Sequence, residues 1–443
     1  MQEQNQKTDS NACIDLQKLH GIISRLNRLK NDRDHYIKAS DIEAIFCSLD
    51  TEVAVQPRDL SRINGDLVLP ARASDKSPES QALEELLLLL SLCYMTIGKN
   101  NEVPALYSVL VVIRILLGHL MNAGIYSRHD LATLEAKFEE IDRIIEQGEE
   151  TYSPMWIDFF KFQLENCRQS LVTVTRNLDG LSHYLDPVYE KLVSLIRQIT
   201  AVGSRPKVVF SEIKELQDKI SEVESTRVNG SFLAPDGSIP KGQEFVNELL
   251  GKCKFIADSI VNKSLQVDPV FHEIHGQLVG IKGRLEQLQL TQVWSRETDL
   301  FDLLQHLRLI DSHRVNDRFV DPNDSNISPE DGQKFLLYLL RKSYALIYEL
   351  LYTSKPISES LQPIFNQLST LKKCLLEVQR SGGISSPREL FPFSIKLASI
   401  DNLRKDGKFY VGNEIPEGQG AVNGLLEECY EICHELRCQT EEG

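Results

Sequence analysis

The residues of this 443-residue chain whose types could do chemistry are nine cysteines, ten histidines and a recurring arginine. Two short stretches have the composition of a metal site. In "HEIH" His272 and His275 stand one helical turn apart. A zinc-protease pair needs histidines at i and i+4 with a glutamate base between them, so the spacing is wrong. In "CYEICHELRC" Cys429, Cys433, His434 and Cys438 follow one another on a helical pattern. A closed zinc site needs four converging ligands, and one helix cannot wrap them around an ion. "GQLVGIKG" (276–283) is glycine-rich but follows a helix start, whereas a phosphate cradle needs a strand, a loop and then a helix; close helix packing is the expectation. No GxSxG, Walker or DxDxDG pattern occurs. No metal, cofactor or catalytic constellation is therefore expected, and the chain is expected not to be an enzyme.

The arginine is the more informative residue, because its surroundings recur. "RINGDLV" (62–68), "RVNGSFL" (227–233), "RVNDRFV" (314–320) and "RKDGKFY" (404–410) align Arg62, Arg227, Arg314 and Arg404. They also align Gly65, Gly230, Asp317 and Gly407, then Leu67, Phe232, Phe319 and Phe409. A proline and a glutamine follow each: Pro78 and Gln81, Pro240 and Gln243, Pro329 and Gln333, Pro416 and Gln419. Two readings compete. In the first the loop only turns a corner: glycine or aspartate permits positive φ, the aromatic tucks into a helix seam, and arginine caps the carbonyls of the helix before it. In the second Arg62, Arg227, Arg314, Arg404, Lys408, Phe232, Phe319, Phe409 and Gln419 line a binding edge for an acidic partner or a phosphorylated small ligand. The spread of one grammar along the chain favours the corner, and the last copy, with Arg404 and Lys408, is the best binding candidate.

These loops lie inside a larger repeat. "PALY" (104–107), "PVYEKL" (187–192), "PVFHEI" (269–274) and "PIFNQL" (363–368) each open a helix with apolar residues at helical spacing. Asp186 and Asp268 precede two of the prolines as expected N-caps. A second helix follows, its start marked by Ser40 with Glu43, Ser127 with Asp130, Ser295, or Ser386 with Pro387. The loop and its proline then open a third helix, on which Cys93, Cys167, Cys253 and Cys429 share one register. The expected fold is all-α: about five three-helix units in tandem, with almost no strand. Their bounds are 13–102, 103–185, 186–267, 268–357 and 358–438, with a polar tail at 1–12 and a short one at 439–443. Such units cannot bury their apolar faces alone and must stack. Trp156 and Trp294 are expected in the core or an interface, and Ser77, Ser328 and Ser386, each before a proline, as helix caps rather than phosphorylation sites.

Composition bounds the partners. At 42% hydrophobic and 26% charged, the chain can build a core. A net charge of −15 argues against a nucleic-acid or anionic-membrane partner. The apolar runs at 83–98 and 103–124 contain charges and read as buried helices. No basic, then apolar, leader is visible, so the scattered cysteines read as reduced thiols. Repeat arrays of this kind suit protein partners.

The segment "SPRELFPFSIKLASIDNLRKDGKFYVGNEIPEGQGAVNGLLEECYEI" (386–432) resembles the C-terminal signature of an uncharacterised fungal family, defined as a domain of unknown function. The resemblance runs along most of the chain and is densest at this end. It implies an intracellular protein of cytoplasm and nucleus without an established enzyme activity, and it supplies no catalytic residues.

Overall fold

Apolar residues at three-four spacing, ended by prolines, glycines and caps, give sixteen α-helices among the described residues of this computed structural model. Those residues are 15–53, 55–64, 77–205, 207–261, 267–291, 296–321 and 328–441. The helices fall into the three expected kinds. The first kind comprises α1 (Leu16–Asn31), α5 (Leu106–Ala123), α8 (Asp186–Gly203), α11 (His272–Thr291) and α14 (Gln362–Arg380). The second comprises α2 (Ala39–Ser48) with α3 (Pro57–Asn64), α6 (Arg128–Gly148), α9 (Phe210–Ser225), α12 (Asp299–Ser312) and α15 (Phe391–Asp401). The third comprises α4 (Pro78–Thr96), α7 (Pro154–Arg176), α10 (Gln243–Val261), α13 (Gln333–Thr353) and α16 (Gln419–Glu441). The chain is all-α; the strands among the described residues are two antiparallel hairpins, β1 (Arg314–Val315) with β2 (Arg318–Phe319) and β3 (Arg404–Lys405) with β4 (Lys408–Phe409).

One packing rule repeats. The first helix of each triplet lies along the third: α1 on α4, α5 on α7, α8 on α10, α11 on α13 and α14 on α16. The second helix packs on the third from another side. The recurring cysteine marks the seam. The thiols of Cys167, Cys253 and Cys429 point at the carbonyls of Leu110, Leu192 and Leu368, at 3.9, 3.6 and 3.6 Å. Burial pushes these thiols up, Cys167 and Cys253 to about 12 and Cys429 to about 11. They are core atoms, as is Trp156; Trp294 lies outside the described residues.

Two compact units result. One draws its described residues from Met1–Asp66, Ala71–Lys99 and Pro356–Gly443, so it joins the first and the last triplet. Within it the Ile37 N–H donates to the Glu359 carboxylate and the Glu359 N–H donates to the Thr96 carbonyl at 2.9 Å. The other unit runs from Asn100 to Lys355 and holds α5 to α13. There α13 packs against α11 and also against α5 and α8, so it is the hub of the unit. A linear array would have placed α5 against its sequence neighbours only. The segment Val103–Ala123 is long and apolar enough to cross a bilayer, but most of it is buried in this unit against α7 and α13.

Several local expectations need correction. Ser40 sits inside the first turn of α2, whose N-cap is Lys38. Asp186 is the first residue of α8, after a 3-10 turn at His183–Leu185; its carboxylate faces His183 and Arg128 instead of capping. Gly276, Gly280 and Gly283 of α11 are exposed, and a Cβ on any of them would meet nothing within 4 Å, so they mark no close packing. Ser295 lies outside the described residues. The caps at Ser77 and Asp268, and the capping box of Ser127 with Asp130, are present.

Candidate functional site

In the three described copies the recurring loop is a two-residue reverse turn with both central residues at positive φ. Asn229 and Gly230 have φ of 51° and 85°, Asn316 and Asp317 50° and 62°, Asp406 and Gly407 50° and 74°. This is the turn that matches the twist of paired strands, and Asn-Gly or Asp-Gly is its sequence signal. The loop is therefore a hairpin and not a plain corner. The aromatic that follows is buried each time: Phe232, Phe319 and Phe409 are at most 3% exposed.

The recurring glutamine closes the hairpin. Gln243 accepts from the Phe232 N–H at 3.0 Å and donates to the Phe232 carbonyl at 2.7 Å. Gln333 does the same to Phe319 at 2.9 and 2.8 Å, and Gln419 to Phe409 at 2.9 and 2.8 Å. One side-chain amide thus replaces a strand partner for each buried aromatic. The glycine before each glutamine has φ of 95°, 90° and 99° at Gly242, Gly332 and Gly418. A Cβ there would come within 2.9 Å of Leu181, 2.9 Å of Val267 and 2.8 Å of Ile357. Neither the positive φ nor the contact admits another residue without displacement.

The arginines diverge in use. Arg227 donates to the Gly230 carbonyl of its own turn at 2.9 Å and lies over the Phe232 ring. Arg404 donates to Asp401 at 2.7 Å and to Asn423 at 3.3 Å. The side chain of Arg314 is buried and donates to Asp311 at 2.5 Å, and also to Asp317. None of the three caps helix carbonyls as expected. Arg62 belongs to α3, and its side chain and the loop after it lie outside the described residues. Arg227 and Arg314 belong to one unit and Arg404 to the other, and each serves its own hairpin.

Around Arg314 the fold assembles a cluster that no local sequence pattern announces. His119, from α5, brings Nε2 to 3.1 Å from the Arg314 guanidinium and 3.4 Å from the Asp311 carboxylate. Arg341, from α13, donates to Asp317 at 3.1 Å, and the Tyr344 ring meets the His119 ring edge-on at 5.3 Å. Nε2 thus faces both a donor, Arg314, and an acceptor, Asp311, while the buried Nδ1 has no hydrogen-bond partner. Burial drives the His119 pKa down, against the pull of Asp311. Burial alone would raise the Asp311 carboxyl, but His119 and Arg314 beside it bring it below the usual range. Two arginines, two aspartates and a neutral histidine make a balanced internal network, with both charges of each sign paired.

The thiols and histidines outside it are dispersed. Cys438 Sγ stands 3.7 Å from His434 Nε2, and Cys433 is buried with its thiol pushed up by burial. Among the described residues no three His, Cys, Asp or Glu side chains converge as a metal set would. His272 Nε2 lies 3.0 Å from the Val267 carbonyl, and the partly buried His275 is lowered by desolvation. Ser328 donates to the Phe319 carbonyl at 2.9 Å, and Ser386 caps the turn Pro387–Leu390.

The surface feature missed in the sequence is the outer face of α15. Aligned on the loop arginine, Leu390, Phe393, Leu397 and Ile400 match Ile213, Leu216, Ile220 and Val223 of α9 and Leu300, Leu303, Leu307 and Ile310 of α12. These inward positions are apolar in all three copies. The outward ones differ. Where α9 has Glu215, Asp218 and Ser221, and α12 has Asp302, Gln305 and Arg308, α15 has Pro392, Ile395 and Ala398. Phe391 is 66% exposed, Ile395 53% and Leu403, just past the helix, 58%. The signal was available, since "FPFSIKLASI" carries apolar residues on both its inner and outer faces, but only comparison between copies isolates it.

Comparison with known proteins places the chain. Residues 178–297 match a family model described as "Protein of unknown function (DUF2408)". The "Cu(2+) suppressing and bleomycin sensitive protein 1" of Saccharomyces cerevisiae is 34% identical over 95% of this chain and 88% of its own. The "CUB1 family protein C30C2.08" of Schizosaccharomyces pombe is 37% identical over 95% of this chain and 92% of its own. No solved structure matches. The fungal family expected from residues 386–432 is thus borne out, with the family model itself matching further upstream.

Proposed function

The chain belongs to the fungal CUB1 family, and we propose that it works there as a non-enzymatic helical-repeat scaffold for protein partners, in cytoplasm and nucleus. The observation that carries this reading is the outer face of α15. Phe391 and Ile395, one turn apart on α15, and Leu403 just past its end are exposed; Ile395 stands where other copies have Asp218 and Gln305 and Leu403 where they have Thr226 and His313, whereas Phe391 matches Lys214 of α9 and the buried Phe301 of α12. Grouped apolar side chains on a surface mark interaction sites, whereas isolated ones carry no message. The recurring arginine, glutamine and cysteine, by contrast, are engaged within the fold.

The test is affinity purification of the tagged full chain from its own cells, with mass spectrometry of what remains bound. A protein retained in stoichiometric amount supports the scaffold; a wild-type chain that retains none above background sinks it. The alternative use of the loop arginines, to hold a phosphorylated small ligand, must displace carboxylates already seated on Arg314 and Arg404. A thermal-shift series with inorganic phosphate and phosphorylated metabolites checks it, because a ligand of the native state raises the melting temperature. The copper and bleomycin responses that name the budding-yeast relative are extended to this chain as cellular consequences of the scaffold. Deleting its gene is expected to alter growth on copper and on bleomycin. Complementation by a His434→Ala, Cys438→Ser variant would agree with that route; a failure would point to direct metal handling by those two side chains.

A further inference from the structure

We propose that the outer face of α15, together with the tip of the β3–β4 hairpin, docks an acidic amphipathic helix of a partner protein; this rests on the scaffold reading above. The apolar half of the argument is the pair Phe391 and Ile395, one turn apart on α15, with Leu403 exposed just past the end of the helix. The charged half comes from the hairpin. Lys405 and Lys408 face each other across the two-residue ladder. Like charges directly opposite on a sheet destabilise it. The other copies avoid this arrangement: Val315 faces Arg318, and Val228 faces Ser231. Arg318 is moreover paired with Glu330 at 2.9 Å. Among the described residues Lys405, Lys408 and Lys396 have no ion-pair partner. Of the nearby carboxylates Asp401 is held by Arg404, Glu389 accepts from the Ser385 N–H, and Asp406 lies in the turn itself. An uncompensated pair of lysines, in a chain of net charge −15, is relieved by carboxylates brought from outside.

The neighbouring surface fits a peptide. Lys396 stands beside Ile395 on α15 and lines an open cavity of about 340 Å³ with Asn366, Gln367, Thr370 and Leu371 of α14. The surface this cavity exposes is mainly apolar, from Leu371 and the aliphatic stems around it, and suits an apolar side chain of a docked helix. A second copy is disfavoured, since a two-fold contact on this face would set Lys405 and Lys408 against their own equivalents. A bilayer is disfavoured by the acidity of the whole chain.

The experiment is a selection from a display library of peptides of about four helical turns, made on the full chain and counter-selected on Phe391→Ser, Ile395→Asp and on Lys405→Glu, Lys408→Glu. All four positions are solvent-facing, and circular dichroism checks that each variant keeps its helix content. The expected result is enrichment of peptides with apolar residues at i, i+3, i+4 and i+7 flanked by Asp or Glu. A synthetic representative should lose at least about tenfold in affinity on either variant, and the Lys→Glu variant should prefer the Lys-for-Glu version of the same peptide. Enrichment of basic or uncharged peptides, equal binding to the variants, no enrichment, or binding instead to phosphatidylcholine–phosphatidylserine vesicles would each overturn the proposal. The scaffold reading is judged separately: partners that still copurify with the Ile395→Asp chain leave it standing with another surface, and a wild-type chain without partners removes it.

Discussion

His119 carries the sharpest consequence at the scale of single residues. Its folded pKa is lowered by burial, so below the unfolded value of about 6.5 the unfolded chain binds a proton that the folded chain does not. Stability contributed by neutral His119 is therefore present above that pH and declines as pH falls through and below it. The partly exposed His275 shifts the same way and adds less. Urea unfolding at a series of pH values should give midpoints that fall on acidification, with a shallower fall in His119→Gln. Equal slopes in the two chains would contradict this. Arg314 and Arg404 occupy the same repeat position, but they should not weigh the same. Arg314→Ala leaves the buried Asp311 carboxylate with only the neutral His119 beside it and should cost about 3–5 kcal/mol. Arg404→Ala opens a pair that water already reaches and should cost about 1 kcal/mol or less. Both are read from denaturant midpoints at constant slope. The difference was not legible in the sequence. The partner that buries Arg314 is 195 residues away, and no local pattern announces it.

At the scale of elements, the glutamine clamp and the exposed glycines invite opposite changes. Gln333→Ala strands the N–H of the fully buried Phe319, whose carbonyl keeps Ser328 as a donor, and should cost about 1–3 kcal/mol. Gln333→Glu keeps the acceptor and loses the donor, so it should fall between. On α11 the effect reverses. Gly276, Gly280 and Gly283 lie in open space within a helix, so each change to Ala should stabilise by up to about 1 kcal/mol and raise the melting temperature. If any of the three lowers it, the glycine has a role beyond the helix. Helix positions were legible because period, proline and capping are local. Ser127 with Asp130 and Ser77 did what their types suggest. Ser40 did not, because the chain enters α2 two residues earlier through Lys38. Gly-Gln at 242–243, 332–333 and 418–419 was visible as letters, but its reason was not. The Cβ exclusion comes from Leu181, Val267 and Ile357, each on a segment distant in sequence.

At the scale of the whole molecule, the repeat predicted five similar triplets, and contacts group them unevenly. The middle three close around α13, and the two terminal ones share a unit. A fragment spanning Asn100–Lys355 should fold alone, with a cooperative helical melt, because its unit draws on no described residue outside that range. A fragment spanning Pro356–Gly443 should melt less cooperatively than it does in the full chain. It has its own core around Leu368, Leu397 and Leu436 but lacks the Ile37 and Thr96 partners of Glu359. Two fragments with equally sharp melts would contradict the second expectation.

The joining of both chain ends in one unit also sets a schedule for biosynthesis. The first 99 residues leave the ribosome early, but the residues that complete their unit begin only at Pro356. At roughly 5–20 residues per second, α1 to α4 wait for tens of seconds while α5 to α13 are made and close. During that interval the leucine-rich α4, buried along nearly its whole length in the finished protein, depends on its own triplet and on holding chaperones for cover. A ribosome that stops short of the last triplet thus leaves a nascent chain unfinished at both ends at once.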